Sequence, residues 1–232
     1  MAIYVMSDLH LSLSTEKPMD IFGGEWVGYI DKIKENWINL ITDEDSVIVP
    51  GDVSWGMHLD DAKEDFAFLN SLPGNKYVIR GNHDYWWTSL KKLNEFIEAN
   101  NFDKIHFIQN DAVVIDDYVI CGTRGWKVPG DEGTTEDDEK IFKRELIRLE
   151  LSLKEAKKTG KEILAMIHYP PFNVKGEETS VVDMLKKYNV KKCYYGHIHG
   201  ERKKYAKEGE IDGIEFKLVS ADKLLFKPLK ID

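Results

Sequence analysis

Short apolar runs alternate with stretches in which apolar residues recur every three or four positions. The runs are rich in β-branched and aromatic side chains and have the length of buried strands. Five of them cover residues 2–6, 47–49, 77–79, 163–167 and 193–195. Because strands and helices alternate along the chain, the pattern predicts an α/β fold.

Four helices are predicted from apolar side chains at helical spacing. The positions that mark them are Trp26, Ile30, Ile33, Trp37 and Leu40; Phe66 and Leu69; Leu90, Leu93 and Ile97; and Phe142, Leu146, Leu149 and Leu153. Thr135 and Asp138 form a capping-box pattern at the start of the last helix. Further strands are predicted at 105–108, 113–115, 118–121, 203–205 and 214–219, with Asp212-Gly213 as the turn between the last two.

Each of the first five strands is followed directly by a polar motif. The motifs are Asp8-Leu9-His10, Gly51-Asp52, Gly81-Asn82-His83-Asp84, His168 and Gly196-His197-Ile198-His199. In an open α/β sheet the ligand crevice lies outside the carboxyl ends of the strands, so these side chains are expected to converge. Asp, Asn and His without Cys suit Mn, Fe, Zn, Ni or Co better than a thiolate-bound structural zinc. The sequence therefore predicts a metal centre at this edge.

The five motifs, in this order, resemble the pattern of the calcineurin-like metallophosphoesterase superfamily. The resemblance spans residues 8 to 199, and an ordered set of five blocks is far more specific than any one block. The sequence around Asp8 and Asn82 is most similar to that of a bacterial branch of predicted phosphohydrolases. The resemblance implies a four-layer α-β-β-α sandwich of two mixed sheets, with residues 1–232 as a single metallophosphoesterase domain.

The same resemblance implies two divalent metal ions and assigns their ligands. One ion would be held by Asp8, His10, Asp52 and His199, and the other by Asp52, Asn82, His168 and His197. Asp52 would bridge ions about 3.5 to 4 Å apart, and a hydroxide shared by the ions would attack phosphorus in line. Asn82 would position the ester oxygen, and His83 would be the general acid toward the leaving group. Asp84 is expected to orient His83.

Three further residues are candidate substrate contacts. Arg124 lies in a Gly-bounded loop after a strand and could clamp a phosphate oxygen, although most surface arginines do not. Trp87 and Trp126 could form an aromatic wall at the mouth, since adjacent Trp86 and Trp87 cannot both face the core from one regular helix; core packing or a subunit contact is the alternative. Residues 126–134 are predicted to be a loop, either a solvated connection or a lid.

Composition limits the partners and the compartment. The chain has 232 residues and a net charge of -9, which argues against binding nucleic acid by phosphate neutralisation. Its start shows no secretory leader, and no apolar segment has membrane-spanning length, so a cytoplasmic protein without membrane contact is expected. Cys121 and Cys193 are expected to be buried, reduced thiols. The sequence leaves open whether the protein forms a homo-oligomer.

One departure from the family pattern and one charge estimate narrow the range of expected substrates. Phosphoprotein phosphatases of the superfamily carry G-D-x-V-D-R-G, whereas this chain has Gly51-Asp52-Val53-Ser54-Trp55-Gly56, which disfavours phosphoprotein substrates. Two dications, two carboxylates and one hydroxide leave a charge of about +1, which suits a monoanion. A phosphodiesterase acting on a small or nucleotide-like ester is favoured. The alternatives are a phosphomonoesterase or pyrophosphate-bond hydrolase and, more remotely, a non-catalytic binding scaffold.

Overall fold

Two β-sheets form the centre of the protein. The computed structural model describes residues 1–17 and 19–231. The first sheet has the order β11-β1-β2-β3-β4. Its strands are β1 (Ile3–Val5), β2 (Ser46–Pro50), β3 (Asn75–Ile79), β4 (Ile105–Phe107) and β11 (Leu229–Ile231). Strands β1 to β4 are parallel and β11 is antiparallel, so the sheet is mixed.

The second sheet is also mixed and has the order β5-β6-β7-β8-β10-β9. Its strands are β5 (Ala112–Ile115), β6 (Tyr118–Thr123), β7 (Glu162–Ile167), β8 (Lys192–Tyr195), β9 (Gly209–Ile211) and β10 (Ile214–Leu218). The four inner strands are parallel, and the two edge strands are antiparallel to their neighbours. Both sheets therefore present the carboxyl ends of several adjacent parallel strands at one edge.

Five α-helices in the described part of the chain cover the outer faces. They are α1 (Tyr29–Leu40), α2 (Lys63–Ser71), α3 (Leu90–Ala99), α4 (Glu136–Lys158) and α5 (Ser180–Lys187). The predicted capping box of α4 is present, because Asp138 N donates to Thr135 Oγ1 at 3.2 Å and Thr135 N donates to Asp138 Oδ2 at 3.0 Å. Short 3₁₀ helices occur at Met19–Phe22, Gly24–Trp26 and Gly200–Tyr205.

Alternation along the strands divides the core into three parts. In β1, Tyr4 packs with the residues of α1 to α3, whereas Ile3 and Val5 pack against the second sheet. The second sheet packs its other face against α4 and α5 through residues such as Ala165. Successive strand side chains point to opposite faces, so a strand with helices on one side and a sheet on the other is buried on both. The four-layer α-β-β-α prediction is confirmed.

Two element predictions need correction. Trp26 ends a 3₁₀ helix rather than belonging to α1. The strand predicted at 203–205 is part of the 3₁₀ helix Gly200–Tyr205, and β9 pairs with β10 instead. The Asp212-Gly213 turn is present, and Ile211 faces Ile214 across it. The strand that precedes the turn is therefore β9 rather than residues 203–205. The sequence reading also missed α5 and β11.

The two cysteines lie in one row across the second sheet. Cys121 of β6 faces Ala165 of β7, which in turn faces Cys193 of β8. Two strand spacings are about 9.6 Å, beyond the distance of about 7 Å between Cα atoms that a disulfide spans. The two buried thiols therefore cannot pair with each other, and burial raises the pKa of Cys121 to about 12.

Across residues 1–17 and 19–231, no helix has both the length and the apolar content to cross a membrane. Residues 126–134 contain neither helix nor strand, as predicted, and their role as a lid stays a prediction. The assignment of residues 1–232 to one domain also stays a prediction.

Buried Lys76 on β3 should make stability depend on pH. Its side chain is fully buried and its ammonium donates to the carbonyl of Leu72. Burial, reinforced by Lys104, lowers the pKa of Lys76 to about 7. Below that pH the folded state holds a buried charge; between about pH 7 and 10 the unfolded state binds the extra proton, so the free energy of unfolding should rise with pH. Urea unfolding at pH 6.5 and 9 measures this rise.

Lys76→Met should remove that part of the pH dependence, whereas Lys34→Met, which changes an exposed lysine on α1, should retain it. Equal pH dependence in the wild type and both variants would contradict the assignment.

Candidate metal centre

The predicted metal ligands come together where the carboxyl edges of the two sheets meet. Those in the first three motifs follow β1, β2 and β3, and those in the last two motifs follow β7 and β8. The sheets are joined at this edge, because Ser7 N donates to Val219 O at 2.8 Å and Ala221 N donates to Ser7 O at 2.9 Å. Convergence of the five motifs is therefore observed, across two sheets rather than one.

One group of donors consists of Asp8, His10 and His199. The Nε2 atoms of the two histidines are 3.2 Å apart, and Asp8 Oδ1 lies 3.0 Å from His199 Nε2 and 3.9 Å from His10 Nε2. Metal–ligand bonds of about 2.0 to 2.2 Å place neighbouring ligands roughly 3 to 3.6 Å apart. The distances between these three atoms fit a single ion, except that the distance from Asp8 to His10 is slightly longer than this range.

A second group consists of Asp8, Asp52 and His168. His168 Nε2 lies 3.3 Å from Asp52 Oδ2 and 2.7 Å from Asn82 Oδ1, and His197 Nδ1 lies 2.8 Å from the same Asn82 oxygen. Asp52 Oδ2 is also 3.7 Å from His10 Nε2, so this carboxylate lies between the two groups. All seven predicted ligands thus meet in one place, and their Asp, Asn and His donors could hold divalent metal ions.

Unusual backbone conformations occur at four of the seven residues. Asp8, His10, Asp52 and His197 have φ values of 61°, 46°, 55° and 72°, in the left-handed region that side chains other than glycine rarely adopt. Such conformations each cost about 1 to 3 kcal/mol and persist only where the surrounding structure holds them. Their concentration here indicates a site whose geometry is imposed by the fold.

Two glycines allow the motif loops to approach closely. A Cβ atom at Gly81 would overlap the side chain and backbone of Asp52, and one at Gly196 would overlap Ser7 and Asp8. These glycines therefore serve close packing between loops from different strands.

Two histidines are oriented through their second ring nitrogen. His168 Nδ1 lies 2.9 Å from Pro50 O, which leaves Nε2 directed at Asp52 and Asn82. His199 Nδ1 lies 3.1 Å from Asp222 Oδ1. Partners of this kind fix the ring tautomer and its orientation for metal binding.

Asp222 was not predicted from the sequence as part of the site. Besides His199, its carboxylate accepts from Gly200 N at 2.9 Å and lies 2.9 Å from Lys203 Nζ. It follows β10 by four residues, so a related signal, a metal-donor side chain shortly after a predicted strand, was present there too.

The prediction that Asp84 orients His83 is wrong, because the Asp84 carboxylate has other partners. Its carboxylate accepts from the backbone N–H groups of Gly81, Asp52 and Val53, at 2.6, 3.0 and 2.9 Å. Nothing among the described residues places it against the imidazole of His83, whose Nδ1 lies 3.4 Å from the hydroxyl of Tyr85. Asp84 therefore joins the loops after β2 and β3, because three donors converge on it from both.

The three predicted substrate contacts have other partners. Arg124 Nη2 is paired with Glu145 Oε1 at 3.0 Å, and its guanidinium lies 4.2 Å from the ring centre of Trp126. Trp126 Nε1 donates to Asp138 at 2.8 Å, and Trp87 Nε1 donates to Gln109 at 3.1 Å. Arg124 is thus engaged beside the centre rather than extended over it.

Trp86 and Trp87 are 2% and 8% exposed. Both pack in the core, because they lie in the irregular segment before α3, where adjacent side chains can both reach it. The role of Trp87 as a substrate contact stays a prediction.

Trp55 is one of the aromatic residues that border the predicted ligands, together with Trp26 and Tyr169. Its ring stacks on His10 at 4.9 Å and lies 4.4 Å from the ring of His83. His83 N donates to Asp52 Oδ1 at 2.8 Å, which fixes this loop against the predicted bridging residue. Burial lowers the pKa of the half-buried His83, while Asp52 opposes that effect.

Charges in the centre are strongly coupled. Burial opposes protonation of His199 and His168, but Asp8 outweighs it for His199 and Asp52 for His168, raising their pKa values to about 10 and about 9. Burial and the neighbouring His168 lower the pKa of His197 to about 3. Because a metal ion requires the unprotonated imidazole, metal binding would displace protons from His168 and His199.

The sequence profile of the calcineurin-like phosphoesterases matches residues 1–201. The chain belongs to this family. Calcineurin-like phosphoesterases are metal-dependent hydrolases, in keeping with the Asp and His groups described above. No curated protein matches the chain by sequence.

Similar solved structures have the same fold. A protein of unknown function, AQ665 from Aquifex aeolicus, is 21% identical with a TM-score of 0.53, covering 99% of this chain and 95% of its own. TT1561 of Thermus thermophilus is 14% identical with a TM-score of 0.57, covering 99% and 97%. GAP50, the anchor in the inner membrane complex of Plasmodium, is 11% identical with a TM-score of 0.53, covering 95% and 71%. At these identities the likeness shows the fold alone.

Asp222→Asn should weaken metal binding, since an amide holds the His199 ring less strongly than a carboxylate does. Loss of such a partner typically costs 10- to 100-fold in metal affinity. Calorimetric titration of chelator-stripped protein with Mn²⁺ measures the effect. The exposed Asp60→Asn serves as control and should bind as the wild type does; equal affinities for all three proteins would remove Asp222 from the centre.

Proposed function

We propose that this protein is a phosphoester hydrolase that works with two divalent ions, from among Mn, Fe, Zn, Ni and Co. One observation carries the proposal: two groups of donors share Asp8, and Asp52 lies between them, within 3.7 Å of His10 Nε2 and 3.3 Å of His168 Nε2. Asp8, His10, Asp52 and His199 would hold one ion, and Asp52, Asn82, His168 and His197 the other.

Such ions, when bound, polarise a phosphoryl oxygen and make water a strong nucleophile at neutral pH. The side chains of the chain supply position and charge. Asn82 contributes a neutral oxygen, 2.7 Å from His168 Nε2, where a carboxylate would cancel positive charge. Its amide nitrogen is then available to donate to an oxygen of the ester.

His83 is proposed as the general acid. Its backbone is held on Asp52, and its ring lies beside Trp55 and 5.6 Å from the ring of His10, at the border of the centre. Burial lowers the pKa of this half-buried imidazole and Asp52 opposes that effect, so the ring is a stronger acid than a free imidazolium whenever it carries the proton. From this position the ring would protonate the departing alkoxide oxygen.

A small or nucleotide-like phosphodiester is the favoured substrate. With two carboxylates facing two dications, the small positive excess suits a monoanion better than a dianion. Phosphomonoesters and pyrophosphate bonds are the alternative substrates. We further propose a cytoplasmic protein that acts without nucleic-acid or membrane contact, with a homo-oligomer as an open question.

A second candidate function is a non-catalytic scaffold. It is supported by the structural likeness to GAP50, which is described as an anchor. The complete set of seven donors, four of them in left-handed conformations, favours hydrolysis, because a scaffold needs neither the donors nor the strain.

Chelator-stripped protein should hydrolyse bis(p-nitrophenyl) phosphate only after Mn²⁺ is added back. Asp52→Asn should lose this turnover, since the residue lies between both donor groups, while Asp60→Asn should keep it. Release of p-nitrophenolate measures the rate. Lack of turnover with every divalent ion tried would favour a strict monoesterase or a scaffold.

His83→Ala should affect poor leaving groups most. For a dinucleoside thymidine phosphate, whose leaving group is an alkoxide, kcat should fall by about 10² to 10⁴. For bis(p-nitrophenyl) phosphate the fall should be much smaller, because p-nitrophenolate leaves without a proton. The exposed His58→Ala is the matched control. Equal losses on both substrates would assign His83 a role other than proton transfer.

A further inference from the structure

A cavity of about 260 Å³ lies beside the metal centre. It is bordered by residues at the carboxyl ends of β3, β4 and β6 and by the inner face of α4. A water molecule takes about 30 Å³ of liquid volume, so the cavity has room for a group of several non-hydrogen atoms. None of the seven predicted metal ligands lines it.

Three arginines and one glutamate line this arginine cavity, namely Arg80, Arg124, Arg148 and Glu145. Glu145 is 2% exposed, and it pairs with Arg124 at 3.0 Å and with Arg148 at 2.9 Å. Its other oxygen accepts from Thr123 Oγ1 at 2.6 Å. One carboxylate against three guanidinium groups leaves two positive charges without compensation in the cavity wall.

Donor groups in the wall lack acceptors. Among the described residues, Arg80 has no hydrogen-bond or ion-pair partner for its guanidinium, and its Nε is buried. Arg124 Nε is buried and unpartnered as well, although Nη2 is paired. Buried donors without acceptors cost about 1 to 3 kcal/mol each, and more when charged. An anion in the cavity would satisfy both groups.

The chemistry of the wall selects an oxyanion. Guanidinium groups present donors in a planar fork that matches the oxygens of phosphate and carboxylate groups. Ser89, the N-cap residue of α3, also lines the cavity, so the partly positive start of that helix faces the same space.

The arginine cavity adjoins the metal centre along two segments of chain. Arg80 precedes Asn82 by two residues, a backbone span of at most about 7 Å. Arg124 O accepts from Tyr169 N at 2.8 Å, one residue past His168. A molecule bound at the centre could therefore place a second group near the arginines.

We propose that the arginine cavity binds a phosphate-like oxyanion. The binding itself does not depend on the reaction at the metal centre. Two sources could supply the group: a second phosphoryl group on the substrate, which rests on the proposed function, or a free anion such as inorganic phosphate.

Sulfate binding to chelator-stripped protein tests the cavity without catalysis. At constant ionic strength in chloride, added sulfate should raise the melting temperature of the wild type. Arg148→Met should weaken sulfate binding by about tenfold or more, the loss expected for one charge-assisted contact. Arg144→Met, which removes an exposed arginine from the same helix, should bind sulfate as the wild type does.

Glu145→Gln provides a test in the opposite direction. Among the described residues, Glu145 supplies the carboxylate that pairs with Arg124 and Arg148, so its removal should tighten sulfate binding. A variant that gains affinity thus complements one that loses it. Sulfate effects that are absent in the wild type, or unchanged in both Arg148→Met and Glu145→Gln, would overturn the proposal.

A matched pair of substrates distinguishes the two sources. Thymidine 5′-(p-nitrophenyl phosphate) is compared with the same ester carrying a 3′-phosphate. If the substrate supplies the oxyanion, the wild type should show a lower KM for the 3′-phosphorylated ester, and Arg148→Met should abolish the difference. If the ratio of KM values is the same in both proteins while sulfate binding is lost, a free anion is the ligand. Failure to hydrolyse either ester would count against the proposed function and leave the sulfate result standing.

Discussion

Buried carboxylates are the constraint on which the rest of the centre depends. Asp8, Asp52 and Asp84 are at most 1% exposed, and burying a carboxylate without compensation is expensive. Three backbone N–H groups from the loops after β2 and β3 surround Asp84, whereas Asp8 and Asp52 face histidines from the second sheet. Compensating these charges therefore ties the loops together, and divalent ions would complete the compensation.

The two sheets provide a rigid support for this arrangement. Ile48 and Ile79 of the first sheet pack with Leu164 and Met166 of the second, and these strands end in predicted ligands. Because closely packed side chains resist relative movement, the two carboxyl edges keep a constant separation. The left-handed conformations at Asp8 and Asp52 are stabilised by this support, since short flexible loops would relax them.

Positive charge is distributed differently in the two adjacent sites. At the metal centre, carboxylates and imidazoles face one another without Lys or Arg among the seven predicted ligands. In the arginine cavity the charge is carried by permanent cations, since guanidinium groups do not lose their protons. The first arrangement suits a reacting group bound through metal ions, and the second suits an anionic group that is only held in place.

The sequence by itself determined the α/β class, the boundaries of most strands and the seven residues that converge, because each motif follows an apolar run and strand ends are local features. Its ordered motifs also identified the family. Only the tertiary structure decided the partners of Asp84, Arg124 and Trp87, and it alone revealed Asp222 and the arginine cavity. These contacts join residues far apart in the chain: Arg124, after β6, meets Glu145 on α4, and Asp84 meets a loop more than 30 residues away. Periodicity records which face of a strand or helix is buried, but not which side chain lies opposite, because that depends on how the layers pack.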